Sequence, residues 1–184
     1  MIRSFAFSGA TFFALALLLS VVFKFKSRLA KHWPTRRNLG VLGFLFIVIH
    51  VFSVIQTNFQ GDVSGTFYNL NPLVNPLIFG WLAYPIFFLL FITSSDWAVA
   101  KLRTKWKVVQ RLMYFGYLGA VLHFLTINPS ALWNIAGYLL IFVTILAMAG
   151  GLFWFIKLVA SGRSSRRGII IILLWILGLY LIFF

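Results

Sequence analysis

The chain has no cysteine, and its only acidic side chains are Asp62 and Asp96. The first absence removes disulfides, thiolate metal sites and iron–sulfur clusters. The second leaves little for acid–base catalysis or for a proton relay built on carboxylates. Histidine is scarce too, at three residues. No Gly-rich dinucleotide fingerprint is present, and 184 residues already committed to apolar runs leave no room for a nucleotide domain.

What the chain does have is apolar surface, with 62% hydrophobic and 19% aromatic residues. A soluble domain of this size could not hide that much. The runs instead approach the roughly 20 residues that cross a bilayer. Six are expected, at about 5–23, 39–55, 73–93, 112–127, 134–156 and 168–184. They are continuous rather than alternating, which indicates helices and not a barrel. The expected fold is therefore all-α: a polytopic membrane bundle of about six transmembrane helices, forming a single integral membrane domain over 1–184.

A net charge of +14 raises the question of nucleic acid. A nucleic-acid binder gathers its cations on one wet face, whereas here they stand in clusters between apolar runs. Lys24, Lys26, Arg28, Lys31, Arg36 and Arg37 fill the first connection. Lys101, Arg103, Lys105, Lys107 and Arg111 fill the third, and Lys157, Arg163, Arg166 and Arg167 the fifth. Of the sixteen cations only Arg3 falls on the other side. The positive-inside rule then predicts a multi-pass protein of the cell (inner) membrane with both termini outside. Phe5 to Phe23 reads as a retained span rather than a cleaved signal, since the charge lies behind it. Trp33, Trp97, Trp106 and Trp133 fall at expected interfaces, and the polar stretch 56–72 is an outer loop.

His50 and His123 are the only histidines inside apolar runs. They lie 13 and 12 residues beyond Arg37 and Arg111, which at about 1.5 Å per residue puts both roughly 18–20 Å in. Ionisable residues at such depth are costly and mark candidate sites. Two imidazoles at matched depth suit axial ligation of a haem iron from both faces. Gly43 and Gly116 each precede their histidine by seven residues, nearly two turns, and so share its face. They would make room for a flat macrocycle, or simply let helices approach closely. The basic residues Arg36, Arg37 and Arg111 would suit propionates if a haem lay near that face. Asp62, Ser53, His32, Met113 and Met148 are better explained as loop, surface or core residues.

Two stretches carry a resemblance. One is Thr35-Arg36-Arg37-Asn38-Leu39-Gly40 running on to Ile49-His50. The other is Thr93-Ser94-Ser95, then Lys105-Trp106-Lys107-Val108-Val109-Gln110-Arg111-Leu112-Met113-Tyr114, then Leu122-His123-Phe124-Leu125. Together they resemble ferric reductase-like transmembrane domains, and among these the haem-binding membrane subunits of bacterial methionine sulfoxide reductase systems. The resemblance covers about 8–157, with an extra C-terminal span at 168–184.

It implies His50 and His123 as ligands of a b-type haem and electron transfer across the membrane to an outer acceptor protein. Where such domains have a further histidine this chain has Gln110, so one haem is expected. On a straight helix Gln110 would point about 140° away from His123. The donor would be a membrane quinol or a cytoplasmic flavin reductase, with quinone or FMN as the further cofactors to consider. The residues alone also leave open a cofactor-free membrane module that anchors or assembles partners.

Overall fold

The computed structural model describes residues 2–127 and 129–161. Their order is α1 (Ile2–Phe25), α2 (Trp33–Asn58), α3 (Leu77–Ile92), α4 (Asp96–Leu102), α5 (Thr104–Gln110), α6 (Met113–Ile127) and α7 (Ile135–Ala160). The described residues hold helices and turns, with no strand. Among the described residues four helical stretches are long and apolar enough to cross a membrane, or five if the bent α3–α4 pair is counted as one span. The expected span at 168–184 lies outside the described residues.

Helices are the form these sequences must take in lipid, where no water satisfies a backbone N–H or C=O. Their outward faces are apolar, with Phe52, Leu82, Leu139 and Phe142 each more than half exposed. Inward, α1 is the hub. It packs along α2 and α7, while α3 packs along α6. Lipid tails are as apolar as leucine, so these contacts rest on close fit rather than on expulsion of water. Each interface accordingly has a glycine at its crossing. A Cβ on Gly9 would meet Ile47 at 2.8 Å, one on Gly150 would meet Val21 at 2.5 Å, and one on Gly119 would meet Ala83 at 3.2 Å.

Three contacts gather the basic clusters at one end of the bundle. Arg37 on α2 is ion-paired with Asp96 on α4. The rings of Trp33 and Trp106 meet edge to face at 6.1 Å. Phe25 at the end of α1 packs on Trp154 near the end of α7. At this end α3 turns by 92° into α4. The Ser95 hydroxyl caps α4 by accepting from the Ala98 N–H at 3.2 Å. Arg103, at φ 48°, makes the left-handed joint to α5.

The third and fourth spans differ from the sequence expectation. Residues 73–76 belong to the loop between α2 and α3, with Leu73 83% exposed, and α3 begins only at Leu77 behind Asn75 and Pro76. The fourth stretch begins at Thr104 rather than 112 and breaks at Arg111–Leu112, where successive i→i+3 bonds tighten the chain. Gln110 and His123 are therefore on different helices, and the straight-helix angle between them loses its premise. Trp106 does more than face an interface. It is buried, and its indole N–H donates to the Thr93 carbonyl at 2.8 Å, latching α5 to the end of α3.

The absence of native cysteine makes topology directly measurable. Single cysteines at Ser27 and Thr104 are expected to resist an impermeant thiol reagent in intact cells, while one at Ser64 labels. Labelling at Thr104 with protection at Ser64 would invert the orientation.

Candidate functional site

At the end opposite the basic clusters, each of these two half-buried histidines is tied to a backbone carbonyl on a neighbouring element. His50 on α2 places Nδ1 3.2 Å from the carbonyl oxygen of Ile2, the first residue of α1. His123 on α6 places Nδ1 3.0 Å from the carbonyl oxygen of Pro76, the N-cap of α3. A carbonyl can only accept, so Nδ1 must carry the proton in both rings. The remaining nitrogen, Nε2, then holds its lone pair outward, and neither Nε2 is hydrogen-bonded among the described residues.

Phe7 and Phe124 meet edge to face at 5.3 Å, drawing the start of α1, where His50 is held, toward the turn of α6 that carries His123. The two histidine-bearing helices are not closely packed on each other. His32 lies exposed among the basic residues, far along the chain from this pair.

The sequence places both histidines at one level by counting from arginines. The break at Arg111–Leu112 spoils that ruler for His123. What sets the level instead is the pair of carbonyls, both at the ends of α1 and α3 away from the basic clusters. The imidazoles therefore sit by that end of the bundle, level with the starts of α1 and α3.

Gly43 and Gly116 are where expected, but their faces are filled by phenyl rings. A Cβ on Gly43 would meet Phe13 at 2.9 Å, and one on Gly116 would meet Phe87 at 2.9 Å. Phe13 and Phe87 in turn stack on each other with centroids 4.2 Å apart. Arg37 is held by Asp96, and Arg111 lies exposed in the α5–α6 turn. In the α2–α3 loop Asp62 accepts from the backbone and hydroxyl of Ser64 at 2.8 and 2.6 Å. The Ser64 hydroxyl, followed by the Gly65 N–H, holds the Asp62 carboxyl below the usual carboxylate range.

The sequence model described as "Ferric reductase like transmembrane component" matches residues 5–121. The chain belongs to this ferric reductase-like transmembrane family. It is a multi-pass membrane protein, as the helices and the family agree. Among curated proteins it is similar to the "Protein-methionine-sulfoxide reductase heme-binding subunit MsrQ" of Brucella ovis, 27% identical over 96 residues. Subunits of the same name from Brucella canis and Brucella suis match at the same 27% over the same length. The match takes in 49% of this chain and 40% of each relative, so well under half of those relatives' length is represented here. No solved structure matches.

Three residues of the site escape a reading of the sequence. Ile2 and Pro76 act through their carbonyls, which every residue possesses. Gly80 on α3 lies under the His123 ring, where a Cβ would come within 3.2 Å of Nδ1 and Cε1. Its spacing from Pro76, one helical turn, is the only sequence signal, and it gains meaning only once α6 is known to lie alongside.

In the metal-free protein His50 and His123 are expected to be Nδ1–H tautomers. Nitrogen-15 spectra of histidine-labelled protein check this, against the Nε2–H form that free imidazoles favour. Gly80→Val is expected to shift only the His123 signals.

Proposed function

We propose that this chain holds one b-type haem between His50 and His123 and passes single electrons across the membrane to an acceptor on the outer face. The observation that carries the reading is the fixed tautomer of both imidazoles. A metal-binding histidine characteristically donates its second ring N–H to a carbonyl or carboxylate, which sets the ring and raises its basicity. His50 and His123 both do so, on Ile2 and Pro76. The donor set thus fits a group that takes one neutral nitrogen from each side. The loose approach of α2 to α6 allows for such a group, and the relatives' printed name speaks of haem binding.

When bound, haem supplies a one-electron carrier whose potential is set by axial ligands, burial and hydrogen bonding around it. The chain's own contribution is to hold the imidazoles, exclude water with the phenyl rings of Phe7 and Phe124, and keep charge away. No carboxylate lies in either histidine-bearing helix, so the ligands meet no competing acid.

Position supports the direction of flow. Level with the starts of α1 and α3, the imidazoles lie near the end that carries the 59–76 loop, and an acceptor docking there needs only a short transfer. On the other side Gln110 takes the place of a further histidine and borders a cavity of about 40 Å³, which supports one haem rather than two. The donor is then either a quinol reaching the bundle from lipid or a flavin reductase meeting the basic end.

His50→Ala or His123→Ala is expected to abolish stable haem binding, while His32→Ala leaves it unchanged. The check is the Soret and low-spin bands of purified protein. A six-coordinate low-spin spectrum in either core variant would reduce that histidine to packing. A colourless wild type would favour a cofactor-free anchoring module. Pyridine haemochrome assay is expected to return about one haem per chain; two would show that Gln110 or Met113 completes a second site.

A further inference from the structure

A second polar feature stands at the opposite end, where the proposed haem site makes no use of it. Between α1, α2, α3 and the α5–α6 break lies a cavity of about 40 Å³. Its polar walls are Arg36, Arg37, Ser94 and Gln110, and Phe13 and Phe87 close it toward the histidines. The Gln110 side-chain nitrogen is buried here with no hydrogen-bond partner. An amide N–H2 left unsatisfied away from water costs about 1–3 kcal/mol, which makes it a donor awaiting an acceptor.

The charges point the same way. Arg36 donates from Nε to the Ser20 hydroxyl and lies over the Trp33 ring, 4.6 Å from its centroid. It has no carboxylate partner, since Asp96 pairs with Arg37 and Asp62 is in the α2–α3 loop. The Ser94 hydroxyl gives its proton to the Leu90 carbonyl at 2.6 Å and keeps its own lone pairs. Ser94 therefore offers no donor and Arg37 is already paired, so the cavity's unspent donors are the Arg36 guanidinium and the Gln110 amide.

Size then selects among ligands. A cavity that takes up one benzene measures about 150 Å³, and a single water needs roughly 10–15 Å³. At about 40 Å³ the space is too small for a quinone or flavin ring and far too small for a macrocycle. It is large enough for one compact oxyanion. Guanidinium groups bind such oxygens in bidentate fashion with charge-assisted bonds.

We propose that this cavity is an oxyanion site, with Arg36 and the Gln110 amide as its principal donors and a phosphate-class group as its ligand. The source is either the headgroup of an anionic lipid in the adjoining leaflet or free phosphate. The site is independent of the haem reading, since none of its polar residues touches His50 or His123.

The test uses full-length protein in a maltoside detergent, which carries no phosphate. Melting temperature and calorimetric affinity are measured with inorganic phosphate and with dihexanoyl phosphatidic acid. At least one probe is expected to stabilise the wild type. Gln110→Leu should weaken binding about tenfold, the worth of one hydrogen bond to a charged group, and Arg36→Gln should weaken it further. Gln110→Glu is the control for folding. Its carboxylate gives Arg36 an internal partner, so the ligand-free melting temperature should rise while the ligand-induced shift disappears. Lys157→Gln should bind as the wild type does. Response to phosphatidic acid alone assigns the site to a lipid headgroup, and response to both probes assigns it to the oxyanion itself. No response to either, or equal responses in wild type and Gln110→Glu, overturns the proposal and leaves a cavity that holds water.

Discussion

Inside a bilayer no solvent stands ready to satisfy a polar group, and every feature of this chain follows from how it meets that demand. The backbone does so by becoming helix. Most polar side chains within the helices bond back onto their own turn: Ser20 to the Ala16 carbonyl at 2.7 Å, Thr93 to Leu89 at 2.7 Å, Thr144 to Leu140 at 2.8 Å. These bonds are local and say nothing about function. The two histidines break the pattern by reaching across to carbonyls on other helices. Gln110 breaks it in the other direction, with a buried nitrogen that finds no partner. Trp106 and Tyr117 also reach across, to Thr93 and Thr144, and simply latch helices together; the histidines, each with an Nε2 left over, and the unsatisfied Gln110 are the groups that point to ligands.

The protein consequently has two unlike ends joined by an apolar middle. One end is cationic and latched, through the Arg37–Asp96 pair and the indole of Trp106. The other holds the paired imidazoles beneath a loop organised by Asn75, whose amide donates to the Thr66 and Asn69 carbonyls at 2.9 Å each. Between them the Phe13–Phe87 stack occupies the space that Gly43 and Gly116 leave open. On the proposed reading, that stack would separate the basic end from a haem held by His50 and His123.

Much of this was legible beforehand, and for identifiable reasons. The length and continuity of the apolar runs dictate helices. The clustering of cations predicts which loops share a side, and the contacts of Trp33 with Trp106 and Phe25 with Trp154 place those loops together. Family membership was legible in the stretches around Arg36–Arg37, Trp106 and His123. Less legible were the bounds at Leu77 and Thr104, because an Asn-Pro pair and a left-handed Arg103 redirect a chain that is apolar on both sides.

By itself the sequence determined the medium, the helical class, the family and the two histidines worth watching, since composition and period depend on side-chain chemistry alone. Only the tertiary structure decided what those histidines face. The tautomer of His123 depends on the carbonyl of Pro76, and its flat seat depends on Gly80 having no side chain. Neither property is written in residue type. Likewise Gln110 is an ordinary amide until α1, α2 and α3 close around it and leave its nitrogen without an acceptor.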